Sequence, residues 1–297
     1  MKVLITGATG LVGQALQSLF AEKGYEMLLA SRKDPIDEQH VKWSIDDGFA
    51  NPEKLEGLDV VVHLAGENVG GLRWTDEKKK AIRDSRVFGT RNVVDAISKL
   101  KDKPKTFIAS SAIGFYGERG EEEVNETSAA GDNFLASVAK DWEVESRRAE
   151  DAGIRTVLLR TGIVLSKDGG ALSTMLLPFK LGVGGVVGSG KQWMSWISLD
   201  DEVAIINYAI ENENIRGAVN AVSPNPVTNQ EFTKTLGEVL YRPTFLPLPE
   251  FAVSMIFGEM GDALLLASTK VLPKRLIDAG FKFQFPDLKA AIENAVK

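Results

Sequence analysis

The sequence predicts an α/β protein, a doubly wound parallel sheet with a smaller, partly helical C-terminal lobe. Three observations predict this class. Short apolar, β-branched runs alternate with helically periodic segments over the first half of the chain. The run Val60–Leu64 opens with three consecutive valines, as in a strand buried on both faces. The second half loosens into a glycine-rich stretch, two neighbouring tryptophans and several prolines.

The predicted elements of the first half follow one another in regular order. Strands are predicted at 2–6, 26–30, 60–64, 106–110 and 155–160, with helices at 11–23, 74–100 and 134–151. Strands that alternate with helices build right-handed βαβ units, so the sheet should be parallel. In the second half, helices are predicted at 200–212, 251–266 and 287–296.

Composition excludes several classes of function. The 297 residues include no cysteine and only two histidines, so disulfides, thiolate chemistry and cysteine- or multi-histidine metal sites are excluded, and we predict no metal. The net charge is −6 and the longest basic run is Lys78–Lys80, which argues against a nucleic-acid partner.

The sequence also predicts neither a signal peptide nor a membrane span. The apolar stretches fall short of the roughly 18 residues of a spanning helix. The run before Gly7 is too short for a signal peptide. We therefore expect a cytoplasmic protein without a membrane partner.

A glycine-rich motif joins the first strand to the first helix. Glycines let the backbone approach a pyrophosphate, and a helix N-terminus offers free N–H groups and the positive end of its dipole. A tight strand-to-helix turn without a ligand is the alternative. The predicted cofactor contacts in this motif are Thr6, Gly7, Thr9, Gly10, Leu11, Val12 and Gly13.

The end of the second strand indicates which dinucleotide is bound. It reads Ala30-Ser31-Arg32-Lys33, without the acidic residue that binds the ribose of NAD. Arg32 with Ser31 suits the 2′-phosphate of NADP(H), because a guanidinium binds phosphate as a fork. A solvated basic turn is the alternative, and Asp34 lies close by.

A third cofactor segment, Leu64-Ala65-Gly66, ends the valine-rich strand, where small residues let a ribose or a planar ring lie on the backbone. We therefore predict an NADP(H)-binding, Rossmann-type domain over residues 1–165, its sheet completed by part of 190–225. Residues 166–190 and 226–297 are expected to form the substrate-binding lobe.

These motifs carry a family resemblance over essentially the whole chain. With Ser110-Ser111-Ala112 before Tyr116-Gly117, and Leu159-Arg160-Thr161-Gly162, the chain resembles the extended branch of the short-chain dehydrogenase/reductase superfamily. It is most similar to an atypical subgroup named only "epimerase family protein". The resemblance implies a Rossmann fold, NADP(H) and two further cofactor contacts, Arg86 and Ile163. A surface ion pair is the alternative for Arg86.

The resemblance also implies a catalytic serine, tyrosine and lysine, the last two four residues apart on one helix face. Here Lys140 lies in the right helix, but Ala136 stands where the tyrosine belongs. Ser111 is one residue from the expected place, and Tyr116 could replace the missing tyrosine. We predict Ser111, Tyr116 and Lys140 as catalytic. The alternatives are that the Ser111 hydroxyl bonds local backbone, that Tyr116 is a packing residue, and that Lys140 is a ribose ligand only or a solvated charge.

The substrate lobe departs from the nucleotide-sugar enzymes of this branch. Met194 fills the place of an arginine that grips a phosphate, and Ser198 fills that of a histidine. A diphosphate sugar would lose its best anchor. Four apolar residues favour a flatter, apolar ligand, or are simply core: Phe179, Trp193, Met194 and Trp196.

These observations predict a protein that uses NADP(H) for hydride transfer to or from a small carbonyl or alcohol carbon. One alternative is a redox-sensing or regulatory NADP(H)-binding protein with little catalysis, since some relatives are labelled cell-division inhibitors. Another is a nucleotide-sugar epimerase. The expected partners are a small-molecule substrate and, as an assembly, a second copy in a homodimer.

Overall fold

A computed structural model describes residues 1–297 and confirms the predicted fold class. The strands are β1 Lys2–Thr6, β2 Glu26–Ser31, β3 His40–Ser44, β4 Gly48–Phe49, β5 Val60–His63, β6 Thr106–Ala112, β7 Glu123–Val124, β8 Arg155–Thr161, β9 Ile163–Leu165, β10 Trp193–Met194, β11 Trp196–Ser198, β12 Gly217–Ala221, β13 Val227–Thr228 and β14 Lys270–Val271.

The helices alternate with these strands in the first half and dominate the second half. They are α1 Leu11–Glu22, α2 Asp76–Ser98, α3 Phe134–Asp151, α4 Gly170–Lys180, α5 Leu199–Glu211, α6 Asn229–Leu240, α7 Glu250–Phe257, α8 Glu259–Gly261, α9 Lys274–Asp278 and α10 Leu288–Ala295. None of them combines the length and the apolarity that crossing a bilayer requires.

The main sheet has eight strands in the order β12-β8-β6-β5-β1-β2-β3-β4. All neighbours are parallel except the short β4, which runs antiparallel to β3. The chain builds outward from β1 in one direction and then, from β5 onward, in the other. The strand order therefore reverses between β1 and β5, and such a switch point is where open α/β sheets bind dinucleotides. We call the open edge at the carboxyl ends of β1, β2, β5, β6 and β8 the crevice.

Two layers of helices bury the two faces of this sheet. On one face, which we call the α1/α5 face, Leu16 and Ile206 pack against strand residues such as Ile108. On the opposite face, helices α2 and α3 pack against alternating strand residues such as Phe107. The period of two along each strand thus decides which layer a side chain meets.

The second half adds to the sheet and also builds its own core. Strand β12, which falls within 190–225, pairs with β8. Segments 166–190 and 226–297 contain α4 and α6 to α10, and a separate apolar cluster there includes Leu172, Phe232 and Ile292. The division into a cofactor domain and a substrate lobe stays our interpretation of this arrangement.

Some elements differ from the sequence prediction. The single helix predicted at 251–266 is interrupted at Gly258, whose φ of +57° lies in the left-handed region that favours glycine. Helix α4 was not predicted, because it contains Pro178 and follows two glycines. Helix α6 begins at a capping box, in which Thr228 and Glu231 each bond the backbone of the other.

Candidate cofactor and catalytic site

The glycine turn is shaped by close backbone contacts. Gly7 has a φ of +71°, and a Cβ there would lie 2.8 Å from the carbonyl carbon of Leu64 at the end of β5. A Cβ on Gly13 would lie 2.3 Å from the Gly7 oxygen. Gly10 is exposed and would meet only that same oxygen, at 3.2 Å. Gly7 and Gly13 therefore hold the turn against the sheet, while Gly10 leaves its outer surface open.

The N-terminus of α1 opens onto the crevice without a capping side chain. Gly10 is the N-cap, so the N–H groups at Leu11 and Val12 remain for a ligand. Thr9 is exposed, and its carbonyl oxygen accepts a bond from the Gln14 amide at 2.9 Å. An uncapped helix N-terminus behind a glycine turn is suited to a pyrophosphate.

Thr6 and His63 tie β1 to β5 beneath this turn. The Thr6 hydroxyl lies 2.6 Å from His63 Nδ1 and accepts a bond from the Ala65 N–H at 3.3 Å. Burial lowers the pKa of His63 to about 3, so its ring is neutral. The Thr6 side chain is itself fully buried, so it holds the edge of the crevice and does not face into it.

The end of β2 presents a free cation. Arg32 is exposed, and no carboxylate or carbonyl oxygen bonds its guanidinium. Asp34, the acidic residue nearest to Arg32 in the chain, bonds Lys42 at 2.7 Å, and this lowers the pKa of that carboxyl. The Ser31 hydroxyl accepts a bond from the Lys33 N–H at 3.1 Å. The geometry therefore leaves Arg32 available for an anion.

Arg86 is a second cation at the crevice, and it is not in a surface ion pair. It donates to the carbonyl oxygens of Glu67 at 2.9 Å and Ile82 at 3.2 Å. Its guanidinium lies 5.1 Å from the centre of the Trp142 ring and 3.5 Å from where a Cβ of Gly66 would stand. Burial lowers its pKa to about 10, so it keeps its charge at neutral pH.

The remaining predicted cofactor contacts lie at the same edge. Leu64 and Ala65 are half-buried at the end of β5. Ile163 is half-buried in β9, and its N–H donates to the Ser195 oxygen at 2.9 Å. Only the side chain of Ile163 is thus free to meet a ligand.

The predicted catalytic serine and tyrosine meet in one buried network on the α2/α3 side of the sheet. The Ser111 hydroxyl donates to Glu143 of α3 at 2.8 Å. Arg160 of β8 donates to both oxygens of Glu143, at 2.7 and 2.9 Å. It also donates to the Tyr116 hydroxyl at 3.0 Å. That hydroxyl donates in turn to Asn220 of β12 at 2.7 Å.

This network uses both hydroxyls internally. Tyr116 is fully buried, and burial raises the pKa of its hydroxyl. Lys140 lies on the exposed face of α3, while Glu143 of the same helix points inward to Ser111. The structure therefore brings together Ser111 and Tyr116, but not Lys140. Their catalytic roles stay predictions.

Three members of the network escaped the sequence analysis: Glu143, Arg160 and Asn220. One signal could have found them. Arg160 directly follows the apolar run Val157–Leu159 inside a predicted strand, and a charge buried in a sheet requires a buried partner of opposite sign. Glu143 meets that need because it lies on the inner face of α3.

A further buried acid lies on the α1/α5 face. Glu202 accepts a bond from the Thr161 hydroxyl at 2.8 Å and is 2% exposed. Burial raises its pKa to about 8, so the carboxyl is mostly protonated at neutral pH. Its burial has no signal in the sequence, because acidic residues are common in the first turn of a helix.

Most of the apolar residues considered for the substrate are core. Phe179, Met194 and Trp196 are buried together. Trp193 is half-exposed, its indole N–H donates to Glu121 at 2.8 Å, and the Lys270 ammonium lies 4.4 Å from its ring.

Ser198, which stands where the nucleotide-sugar enzymes of this branch carry a histidine, has a structural partner. Ser198 caps α5 by accepting a bond from the Asp201 N–H at 3.0 Å. No group of three acidic or histidine side chains is arranged to hold a metal ion.

Helices α7 and α8 contact the loop after β5 and the first turn of α2. Arg73 of that loop donates to the Ile256 oxygen in α7 at 2.9 Å. Lys79 bonds Glu259 of α8 at 2.8 Å. These contacts join elements from the two halves of the chain.

Known proteins resemble this chain over its whole length. The model of the NAD dependent epimerase/dehydratase family matches residues 3–221, and a domain of unknown function, DUF1731, matches residues 248–295. Epimerase family protein YfhF of Bacillus subtilis is 40% identical, covering 100% of this chain and 98% of that protein.

Two solved structures share the fold. Human epimerase family protein SDR39U1 with NADPH has a TM-score of 0.92 at 35% identity and covers 99% of both chains. A protein titled nucleoside-diphosphate sugar epimerase, from Corynebacterium glutamicum, has a TM-score of 0.83 at 36% identity, but this chain spans only 58% of it. These matches confirm the resemblance found in the sequence, and the family's name agrees with the predicted nicotinamide cofactor. The chain belongs to the NAD dependent epimerase/dehydratase family.

Proposed function

We propose that this chain binds NADP(H) along the crevice, with the pyrophosphate at the N-terminus of α1 and the 2′-phosphate at Arg32. The unpaired guanidinium of Arg32 at the end of β2 carries the proposal. The pairing of Asp34 with Lys42 supports it, because the carboxylate nearest to Arg32 in the chain already has a cationic partner. The human relative solved with NADPH also supports it.

Binding of the four nicotinamide cofactors, measured by calorimetry, tests this proposal. Arg32 and Ser31 add one or two charge-assisted hydrogen bonds to NADPH, each worth about 1.5–3 kcal/mol. NADPH should therefore bind at least about tenfold more tightly than NADH. Arg32→Asp should reverse the preference, because a carboxylate repels the phosphate and accepts from the ribose hydroxyls.

The neighbouring exposed lysine gives a matched control. Lys33→Asp makes the same change in charge one residue away, and should weaken NADPH binding only slightly. Equal affinities of the unchanged protein for NADPH and NADH would refute the assignment of the 2′-phosphate to Arg32.

The reaction we propose is hydride transfer between NADP(H) and a small carbonyl or alcohol substrate. The cofactor supplies the hydride chemistry, and the chain binds it and shapes the crevice. Met194 is buried in the apolar core where a phosphate-gripping arginine would stand, so we do not propose a nucleotide sugar as substrate. A cytoplasmic location and a homodimer stay predictions.

A second candidate function is redox sensing through bound NADP(H) with little turnover. One observation favours it: the hydroxyls of Ser111 and Tyr116 are both bonded inside the buried network with Glu143 and Arg160. A proton donor at the crevice is worth about 10²–10⁴-fold in rate. Without one, turnover of generic aldehydes and ketones should be slow.

NADPH oxidation across a panel of small carbonyl compounds separates the two candidates. Turnover that Tyr116→Phe lowers at least about a hundredfold, with unchanged NADPH affinity, would make Tyr116 the proton donor and favour the oxidoreductase. Tight NADPH binding without turnover on any compound would favour the sensor. Because phenylalanine keeps the ring, melting of the variant shows whether the network itself has been lost.

A further inference from the structure

A buried carboxyl group beneath the end of β8 has an oxygen without a partner. Glu202 lies in the first turn of α5 and is 2% exposed. Its Oε1 accepts from the Thr161 hydroxyl at 2.8 Å, whereas its Oε2 has no hydrogen-bond partner. Buried polar atoms are nearly always paired, so this one calls for an explanation.

Thr161, the partner of the other carboxyl oxygen, shows where this group lies relative to the crevice. Thr161 is the last residue of β8, half-buried, and aligned with Ala112 of β6 and Ala221 of β12. Its side chain lies on the α1/α5 face, because Leu159, two residues earlier, packs there. The pair of Thr161 and Glu202 therefore stands at the crevice edge, on the face where α1 begins.

The direction of the dinucleotide follows from the strand order. With the pyrophosphate at α1 and the 2′-phosphate at the end of β2, the other half of the cofactor must run the opposite way, past β5 and β6 toward β8. With NADP(H) bound as proposed, the nicotinamide half would extend toward the end of β8, where Thr161 contacts the buried Glu202.

Resting on the proposed binding of NADP(H), we propose that Glu202, with Thr161, senses the charge of the nicotinamide ring and makes the choice between NADP⁺ and NADPH depend on pH. The oxidised ring carries a positive charge and the reduced ring does not. A carboxylate beneath the ring favours NADP⁺, and a neutral carboxyl does not. Glu202 is a specificity-determining residue in this scheme, and it does not touch the reacting carbon.

No charged side chain is among the causes of the pKa of Glu202. Burial and the Thr161 bond are the causes that set this pKa. The strands β6, β9, β11 and β12 carry no ionisable side chain, and the one on α1 is Glu22 at its far end. Arg160 of β8 points to the opposite face, and Arg155 bonds backbone oxygens at the other end of that strand.

The nearest charges of α5 and of the C-terminal segment have partners of their own or face solvent. In α9, Lys274 pairs with Asp278 at 2.7 Å and Arg275 bonds the Arg216 oxygen. Lys289 and Glu293 of α10 are exposed. Asp200 is exposed and bonds Asn294, and Asp201 accepts from the N–H groups of Gln284 and Phe285. At the far end of α5, Glu211 pairs with Lys23. Lys282 is exposed.

The test is the ratio of the dissociation constants of NADP⁺ and NADPH, measured by calorimetry from pH 6.5 to 9.5. The 2′-phosphate also titrates, but it is common to both forms and cancels in the ratio. In the unchanged protein the ratio should shift toward NADP⁺ as the pH rises, by up to about tenfold per pH unit. Glu202→Gln should abolish the shift, whereas Asp200→Asn in the same helical turn should keep it.

A second variant and a measurement of proton release test the same inference independently. Thr161→Val removes the only hydrogen bond to the Glu202 carboxylate. The variant should therefore raise the pKa of Glu202 and move the change in the NADP⁺/NADPH ratio to higher pH. Near pH 7.5, calorimetry in buffers of different ionisation enthalpy should detect a proton released on binding NADP⁺, but not on binding NADPH, and no release from Glu202→Gln.

The two proposals fail in different ways. Binding of both cofactors with a ratio that does not change with pH would overturn this inference alone, as would a shift that persists in Glu202→Gln. Binding of neither cofactor would overturn the proposed function, and this inference with it.

Discussion

Replacing Glu202 by glutamine should stabilise the cofactor-free protein, and the gain should grow with pH. The pKa of Glu202 is raised from 4.5 to about 8 in the folded chain. Between pH 4.5 and about pH 8, the Glu202 carboxyl is ionised in the unfolded chain but still protonated in the folded chain. Because the unfolded state binds fewer protons there, the free energy of unfolding falls as the pH rises.

The magnitude follows from the two pKa values. Each pH unit in that window removes about 1.4 kcal/mol, so the unchanged protein loses about 3 kcal/mol between pH 4.5 and 7, and about 5 kcal/mol by pH 8. Glutamine has nearly the shape of a protonated carboxyl group and does not ionise. The advantage of Glu202→Gln should therefore be small at pH 5, reach about 3 kcal/mol at pH 7, and level off above pH 8.

Urea unfolding followed by circular dichroism at pH 5, 6, 7 and 8.5 measures this advantage. Asp200→Asn serves as the control, because its carboxylate is exposed and bonds Asn294 at 2.8 Å. The control should differ from the unchanged protein by a small amount that barely varies with pH. An advantage of Glu202→Gln that stays constant from pH 5 to 8.5 would show that Glu202 is ionised in the folded state, and would refute the reasoning.

Two further predictions concern the glycine turn and the buried network. Gly10→Val should lower NADPH affinity at least tenfold with an unchanged circular dichroism spectrum, whereas Gly13→Ala should lower the melting temperature, because its Cβ would stand 2.3 Å from a carbonyl oxygen. A Gly13→Ala protein that melts normally would contradict that close approach. Glu143→Gln should cost about 3–5 kcal/mol in urea unfolding by leaving the buried Arg160 unpaired. Glu145→Gln, whose arginine partners are largely exposed, should cost about 1 kcal/mol or less, and equal losses would refute the ranking.

Local pattern was enough to predict the fold and the cofactor end of the site. Helix α3 spans the predicted residues 134–151, because its apolar spacing and its Asn133 cap are local signals. The glycine motif lies between β1 and α1 as predicted, because a turn from strand to helix is itself a local structure. The missed helix α6 was also encoded locally, in its capping box, and a search for that pattern would have found it.

The direction and the partners of the catalytic candidates depended on the tertiary structure. Ser111 points to Glu143 because β6 alternates between faces, and the serine lies 32 residues from that partner in the chain. Tyr116 reaches Asn220 across 104 residues, a pairing that the strand order creates and that no local spacing reveals.

The sequence by itself determined the alternation of strands and helices in the first half, the glycine turn and the arginine after β2, because each depends on residues close together in the chain. Only the tertiary structure decided that Ser111 and Tyr116 are closed into a network with Arg160, and that Glu202 is buried beside Thr161. The physical reason is that burial and charge pairing depend on which segments the fold packs together. A carboxyl group that sequence alone places on an exposed helical turn becomes a mostly neutral acid once the sheet excludes water from it.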